Sequence, residues 1–162
     1  MPDDCVVGEV GRGWTLARTT LANERVAMSA GSALGGSLEQ LVGLAARVVG
    51  DDAVALDRLG RLVADEQTLS VMAHRTTLRQ VSGTDPGPGA SVRKLVSGLH
   101  QQDATEFGLE LLGADGATTD GEAAAWSAMF LAMRAMTIAG GTTEVQRNLI
   151  AERLLGLPRD DA

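Results

Sequence analysis

Hydrophobic positions recur at helical spacing along almost the whole chain. After the glycine-rich opening GEVGRG (Gly8 to Gly13), Trp14, Ala17, Leu21 and Met28 fall three, four and seven residues apart, on one helical face. That helix is predicted to stop near Gly35-Gly36. A second stripe, Leu38, Leu41, Val42, Ala45, Val48 and Val49, continues it after a bend at those glycines. Gly50 closes the stripe, and Asp51-Asp52 suit the N-terminus of the next helix. From Ala53 to Val81, Leu59, Leu62, Val63, Leu69, Met72 and Ala73 outline a long third segment. Glycines and prolines then break it in SGTDPGPG, Ser82 to Gly89, the clearest loop in the chain. Its flanks are each too apolar to stand alone, so it joins helices rather than domains.

A fourth helix follows, with Leu95, Val96, Leu99, Ala104, Phe107 and Leu111 on one side, and GADGATTDG (Gly113 to Gly121) ends it. Ala123 to Ala135 is helical and so apolar that burial from more than one side is predicted. After Ala139-Gly140-Gly141, Thr142 is a plausible N-cap for a last helix through about Leu155, stopped by Gly156 and Pro158. Long helical segments with short connections predict an all-α fold, an antiparallel four-helix bundle forming a single domain over residues 1–162.

Composition supports this. Of 162 residues 2% are aromatic, with no Tyr, whereas sheets lean on aromatic and β-branched side chains. A net charge of −7 leaves no basic field for nucleic acid or anionic lipid. No apolar run approaches the roughly 18 residues a membrane span needs, and Met1 to Gly8 carries two acids where a secretory signal carries Lys or Arg, so a soluble, cytoplasmic chain is expected. Cys5 is the only cysteine, which excludes an internal disulfide and a cysteine zinc site.

Spacing alone identifies no enzyme. A di-iron bundle needs Glu-x-x-His pairs, but Val71 and Ser97 stand three residues before His74 and His100. The two histidines are expected to be surface or hydrogen-bonded structural residues, and no metal is expected. Phosphate-loop, dinucleotide and hydrolase-elbow motifs are absent. Two places stay open. Glycines and threonines at the start of the last helix suit capping or the grip of an anionic or polyhydroxylic ligand. Glu24, among Leu21, Ala22 and Asn23, suits a solvated ion pair unless its surroundings are desolvated.

The run IAGGTTEVQRNLIAERLLGLPR (Ile138 to Arg159) resembles the signature that ends acyl-CoA dehydrogenases. PDDCVVGEVGRGW (Pro2 to Trp14) is similar to that family's passage from its β-domain into its C-terminal helical domain. PGPGASVRKL (Pro86 to Leu95) and ELLGADG (Glu110 to Gly116) resemble segments of actinobacterial steroid- and lipid-degrading members. The resemblance implies the third part of an FAD flavoprotein that removes the pro-R α proton and a β hydride from an acyl-CoA thioester, in fatty acid or steroid side-chain β-oxidation. Electrons pass to an electron-transfer flavoprotein. The stretches that carry the resemblance cover only that third part, so the family's N-terminal helical and middle β-domains are not expected within these residues. The isolated chain is expected to bind no FAD measurably, to be a poor catalyst, and to work in a homo- or hetero-oligomer.

The same resemblance implies site residues. The family's common base immediately precedes the Gly-Thr of the last motif, which is Gly140 here. Isovaleryl-CoA and long-chain members take the base from the first long helix instead, before an Arg, in a segment similar to LANERVAMSAG. That position is Glu24, and Arg25 matches an Arg close to the acyl-CoA. Gly141, Thr142 and Glu144 match positions that contact FAD. Two neighbour-flavin motifs depart from the pattern: VVGDDAVALDR (Val48 to Arg58) replaces Arg-x-x-Phe-Gly, and Glu110 stands where an amide donor is usual. An ionised Glu110 is expected to repel a neighbour's pyrophosphate. That fits a second reading, a non-catalytic assembly subunit of a heteromeric dehydrogenase.

Overall fold

A computed structural model of the chain describes residues 5–29, 37–84 and 89–159, and for residues 22–29 the backbone alone. The helices are α1 (Gly13–Ser29), α2 (Ser37–Val48), α3 (Ala53–Val81), α4 (Gly89–Leu111), α5 (Gly121–Met136) and α6 (Thr143–Arg153), with a 3₁₀ turn at Gly113–Ala117. There is no strand among the described residues. Asp52 starts α3 as its sequence position suggests: its carboxylate accepts from the amides of Val54 at 2.9 Å and Ala55 at 3.1 Å.

α4 is the axis of the fold and touches every other helix. α3 and α5 run antiparallel to it. Along α5, Gln102 Nε2 donates to Met133 O and Thr137 Oγ1, both at 3.2 Å, while Gly108 faces Trp126, so numbers rise on α4 as they fall on α5. Along α3, Glu66 meets His100 at 3.1 Å and Arg58 meets Asp103 at 2.6 Å, again in reverse order. α1, α2 and α6 also pack on α4, and α2 packs on α3 as well.

The core lies at the C-terminal half of α4, where Leu41, Leu44, Leu62, Ala104, Phe107 and Trp126 form one buried cluster. Each large side chain buried there is worth about 1.5–3 kcal/mol. Gly108 makes the closest approach possible: a Cβ on it would stand 2.2 Å from Trp126 Cε3, so the indole lies directly on the α4 backbone.

The periodicity of α4 misplaces its inner face. Val96 and Leu99 are 38% and 45% exposed, whereas Ser91, Arg93, Lys94 and His100 are buried. A helix surrounded on nearly all sides buries most of its surface, so apolar spacing no longer marks which face is inside. Trp14 and Leu21 on α1 are likewise exposed rather than core. α5 buries one face, with Ala123, Trp126 and Met133, and leaves Leu131 68% exposed; burial from more than one side is not reached within this chain. His74 is exposed, and His100 is held by Glu66, in keeping with structural roles. The expected bend at Gly35-Gly36 and the prolines Pro86 and Pro88 lie outside the described residues.

Candidate functional site

The turn entering α6 carries three of the residues that the sequence singles out. Gly140 and Gly141 have φ of +67° and +107°, a region side chains disfavour. Thr142 is the N-cap, its hydroxyl oxygen accepting from Val145 N at 3.3 Å. Glu144 follows on the exposed first turn. Its own backbone amide, the Thr142 hydroxyl and the nearby Arg147 hold its carboxyl below the usual carboxylate range. It is therefore an acceptor only, suited to a ligand N–H or hydroxyl rather than to a phosphate. The left-handed backbone at Gly140 also makes this turn a poor seat for a glutamate there.

Two buried polar side chains, which sequence reasoning passed over, hold this turn from beneath. Lys94 of α4 is 4% exposed, and its Nζ donates to Gly141 O at 2.6 Å. Burial pushes its pKa down. Gln146 of α6 is fully buried; its Nε2 donates to Gly140 O at 3.0 Å and to Gly141 O at 3.3 Å, while its Oε1 has no hydrogen-bond partner. A signal existed: Lys94 falls between Ala90 and Gly98 at helical i, i+4 spacing, a charge on a stripe of small, buried residues.

An open groove of about 800 Å³ separates α1 from α6. Trp14, Arg18 and Leu21 border it from α1, Asn148 and Arg153 from α6, and Arg159 from beyond α6. Glu152 is its carboxylate, 4.0 Å from Arg159, so three guanidiniums outnumber it in a chain of net charge −7. Glu24 and Arg25 lie on α1, three and four residues past Leu21, and their side chains lie outside the described residues. Gly141, Thr142 and Glu144 are thus brought together, and the helix carrying Glu24 and Arg25 borders the same groove as α6.

Glu110 is not a bare charge. It pairs with Arg58, which also bonds Asp103 at 2.6 Å and lies 4.6 Å over the Phe107 ring. Partial burial opposes the Arg58 charge, but Asp103 and Glu110 more than offset it and raise the guanidinium pKa. One guanidinium is thus shared by two carboxylates, and the Arg58–Asp103–Glu110 cluster keeps a net negative charge. Among the described residues no group of three or more His, Cys, Asp or Glu is placed to hold a metal ion, and no helix is long and apolar enough to cross a membrane.

The profile of the acyl-CoA dehydrogenase C-terminal domain matches residues 11–155. The chain is 45% identical over 162 residues to acyl-CoA dehydrogenase FadE34 of Mycobacterium tuberculosis, covering 98% of this chain and 22% of that protein. It is 37% identical over 161 residues to acyl-CoA dehydrogenase IpdE1 of the same organism, covering 97% of this chain and 41% of that protein. Among solved structures, a variant of the Tcur3481-Tcur3483 steroid ACAD superposes with a TM-score of 0.81 at 25% identity, covering 99% of this chain and 44% of that one. The ChsE4-ChsE5 complex of Mycobacterium tuberculosis gives a TM-score of 0.73 at 28% identity, covering 94% and 43%. The chain thus spans less than half the length of these relatives.

Proposed function

Because the chain belongs to the acyl-CoA dehydrogenase family and carries its C-terminal domain, we propose that it forms one wall of an FAD-dependent acyl-CoA dehydrogenase. The reaction is α,β-dehydrogenation of an acyl-CoA thioester. A fatty-acyl or steroid-side-chain substrate accords with the steroid ACAD among its structural relatives. The rest of the pocket comes from the N-terminal helical and middle β-domains, a reading supported by the share of each relative that this chain spans.

One observation carries the proposal. The helix with Glu24 and Arg25 and the helix that opens with Gly141-Thr142 border the same cationic groove. In that arrangement Glu24 takes the α proton, since a carboxylate desolvated in a closed pocket has a raised pKa and accepts a carbon-bound proton more readily. By the family match Arg25 is assigned to the acyl-CoA, and Arg18 and Arg153 suit the phosphates of its CoA portion. The turn fits a flavin: positive φ at Gly140 and Gly141 turns the chain sharply into α6, whose first-turn amides have no intrahelical acceptors. Gly141, Thr142 and Glu144 would hold it, and the bound flavin supplies the hydride acceptor. An electron-transfer flavoprotein then takes the electrons.

Anaerobic flavin bleaching of the complete assembly by an acyl-CoA tests this. Glu24→Gln keeps the side-chain shape and removes the proton acceptor, so bleaching should slow on the order of a hundredfold while flavin stays bound. Bleaching at the wild-type rate would leave the second reading, an assembly subunit without chemistry. That reading draws on the internal Arg58–Glu110 pair, on the exposed Leu131 face of α5, and on the two-component complex among the relatives.

A further inference from the structure

Resting on the reading of Gly141, Thr142 and Glu144 as a cofactor contact, we propose that Lys94 and Gln146 are positioning residues: they clamp the Gly140–Gly141 carbonyls inward so that the turn presents Thr142 and Glu144 in one fixed geometry. Two consecutive glycines at positive φ are the least constrained backbone in this part of the chain, and a ligand contact built on them needs an external restraint. The restraint comes from two elements at once. Lys94 reaches from α4 to Gly141 O at 2.6 Å, a charge-assisted bond, and Gln146 reaches back from α6 to both carbonyls at 3.0 and 3.3 Å.

The chemistry is otherwise hard to account for. A lysine 4% exposed loses its hydration, and among the described residues its Nζ bonds this turn; methionine would fill such a space without a charge. Gln146 is buried completely, yet among the described residues only its Nε2 is bonded, so its amide is oriented by the turn. Gln146 also fills the space a side chain at 141 would need, since a Cβ there would stand 2.8 Å from its Nε2, so the clamp and the glycine fit one another. Lys94 and Gln146 thus act through the turn and need touch neither flavin nor substrate.

The test uses the complete dehydrogenase assembly containing this chain, with Lys94→Met, Gln146→Met and, as a control for general destabilisation, Leu62→Ala in the distant core. Amide hydrogen exchange over residues 139–143 and the FAD dissociation constant are measured for each. Lys94→Met is expected to speed exchange locally at least tenfold and to weaken FAD by about tenfold. Gln146→Met is expected to act in the same direction, and Leu62→Ala to do neither. Unchanged exchange and unchanged FAD affinity in both methionine variants would overturn the proposal, as would faster exchange without loss of FAD or an equal loss in Leu62→Ala. If the wild-type assembly itself holds no FAD, it is the functional reading that fails, a result distinct from all of these.

Discussion

The two halves of α4 bury different chemistry. Toward its C-terminus it presents Ala104, Phe107 and Gly108 to Leu41, Leu44, Leu62 and Trp126, an apolar core whose shape is fixed by packing. Toward its N-terminus it buries Arg93, Lys94 and His100, and there the neighbours are the Gly140–Gly141 turn, Gln146 and Glu66. One end holds the bundle together. The other spends burial on polar groups that a merely stable bundle would replace with apolar ones, which is the usual mark of a working end.

The comparison is sharpest if the apolar end is broken first. Leu62→Ala should cost about 2–5 kcal/mol of unfolding free energy, because its buried side chain leaves a cavity among packed neighbours; Leu62 is 2% exposed. Urea unfolding followed by tryptophan fluorescence reads it directly, since Trp126 is buried in that cluster while Trp14 is 74% exposed. A cost under about 1 kcal/mol would mean the core is not where the cluster lies.

Gly108→Ala comes next. In an ordinary helix the change to alanine gains up to about 1 kcal/mol, but here the new methyl meets the indole and the sign should reverse to a loss of about 1–3 kcal/mol. Gly60 provides the contrast, because nothing lies within 4 Å of a Cβ built there. Gly60→Ala should therefore stabilise, and the pair of urea midpoints checks both signs.

The smallest effect belongs to the polar end. Burial lowers the pKa of Lys94 in the folded chain. Between that lowered value and the ordinary lysine value the unfolded chain binds more protons, so stability should rise as pH climbs through the window just below the ordinary value. Urea midpoints measured across that alkaline range should show the rise in the wild type and a flatter profile in Lys94→Met. An unchanged slope in the variant would count against Lys94 being desolvated.

Much of the architecture was legible in the chain itself. Glycine-rich breaks, the Asp52 and Thr142 caps and the near absence of aromatics follow from local chemistry, which is why the helices start where the sequence says. The candidate site was legible in a different way. Gly141, Thr142 and Glu144 lie within four residues of each other, so a single motif reveals them, and local sequence is enough to put them on one turn. The place of Lys94 on a stripe of small residues was visible, but its role was not, because its partner, Gly141, is 47 residues away.

What the sequence by itself determined, then, is the set of helices, their caps and the motif that opens α6, because these depend on neighbours a few residues apart. Only the tertiary structure decided that α4 is the central helix, that Arg58 is shared by Asp103 and Glu110, that Trp126 lies on Gly108, and that Lys94 and Gln146 meet beneath one glycine turn. Apart from the bonds of Gln146 to the turn just before its own helix, those pairings join residues far apart in the chain. A buried charge takes its meaning from the acceptor opposite it, and apolar spacing along one helix carries no record of that acceptor.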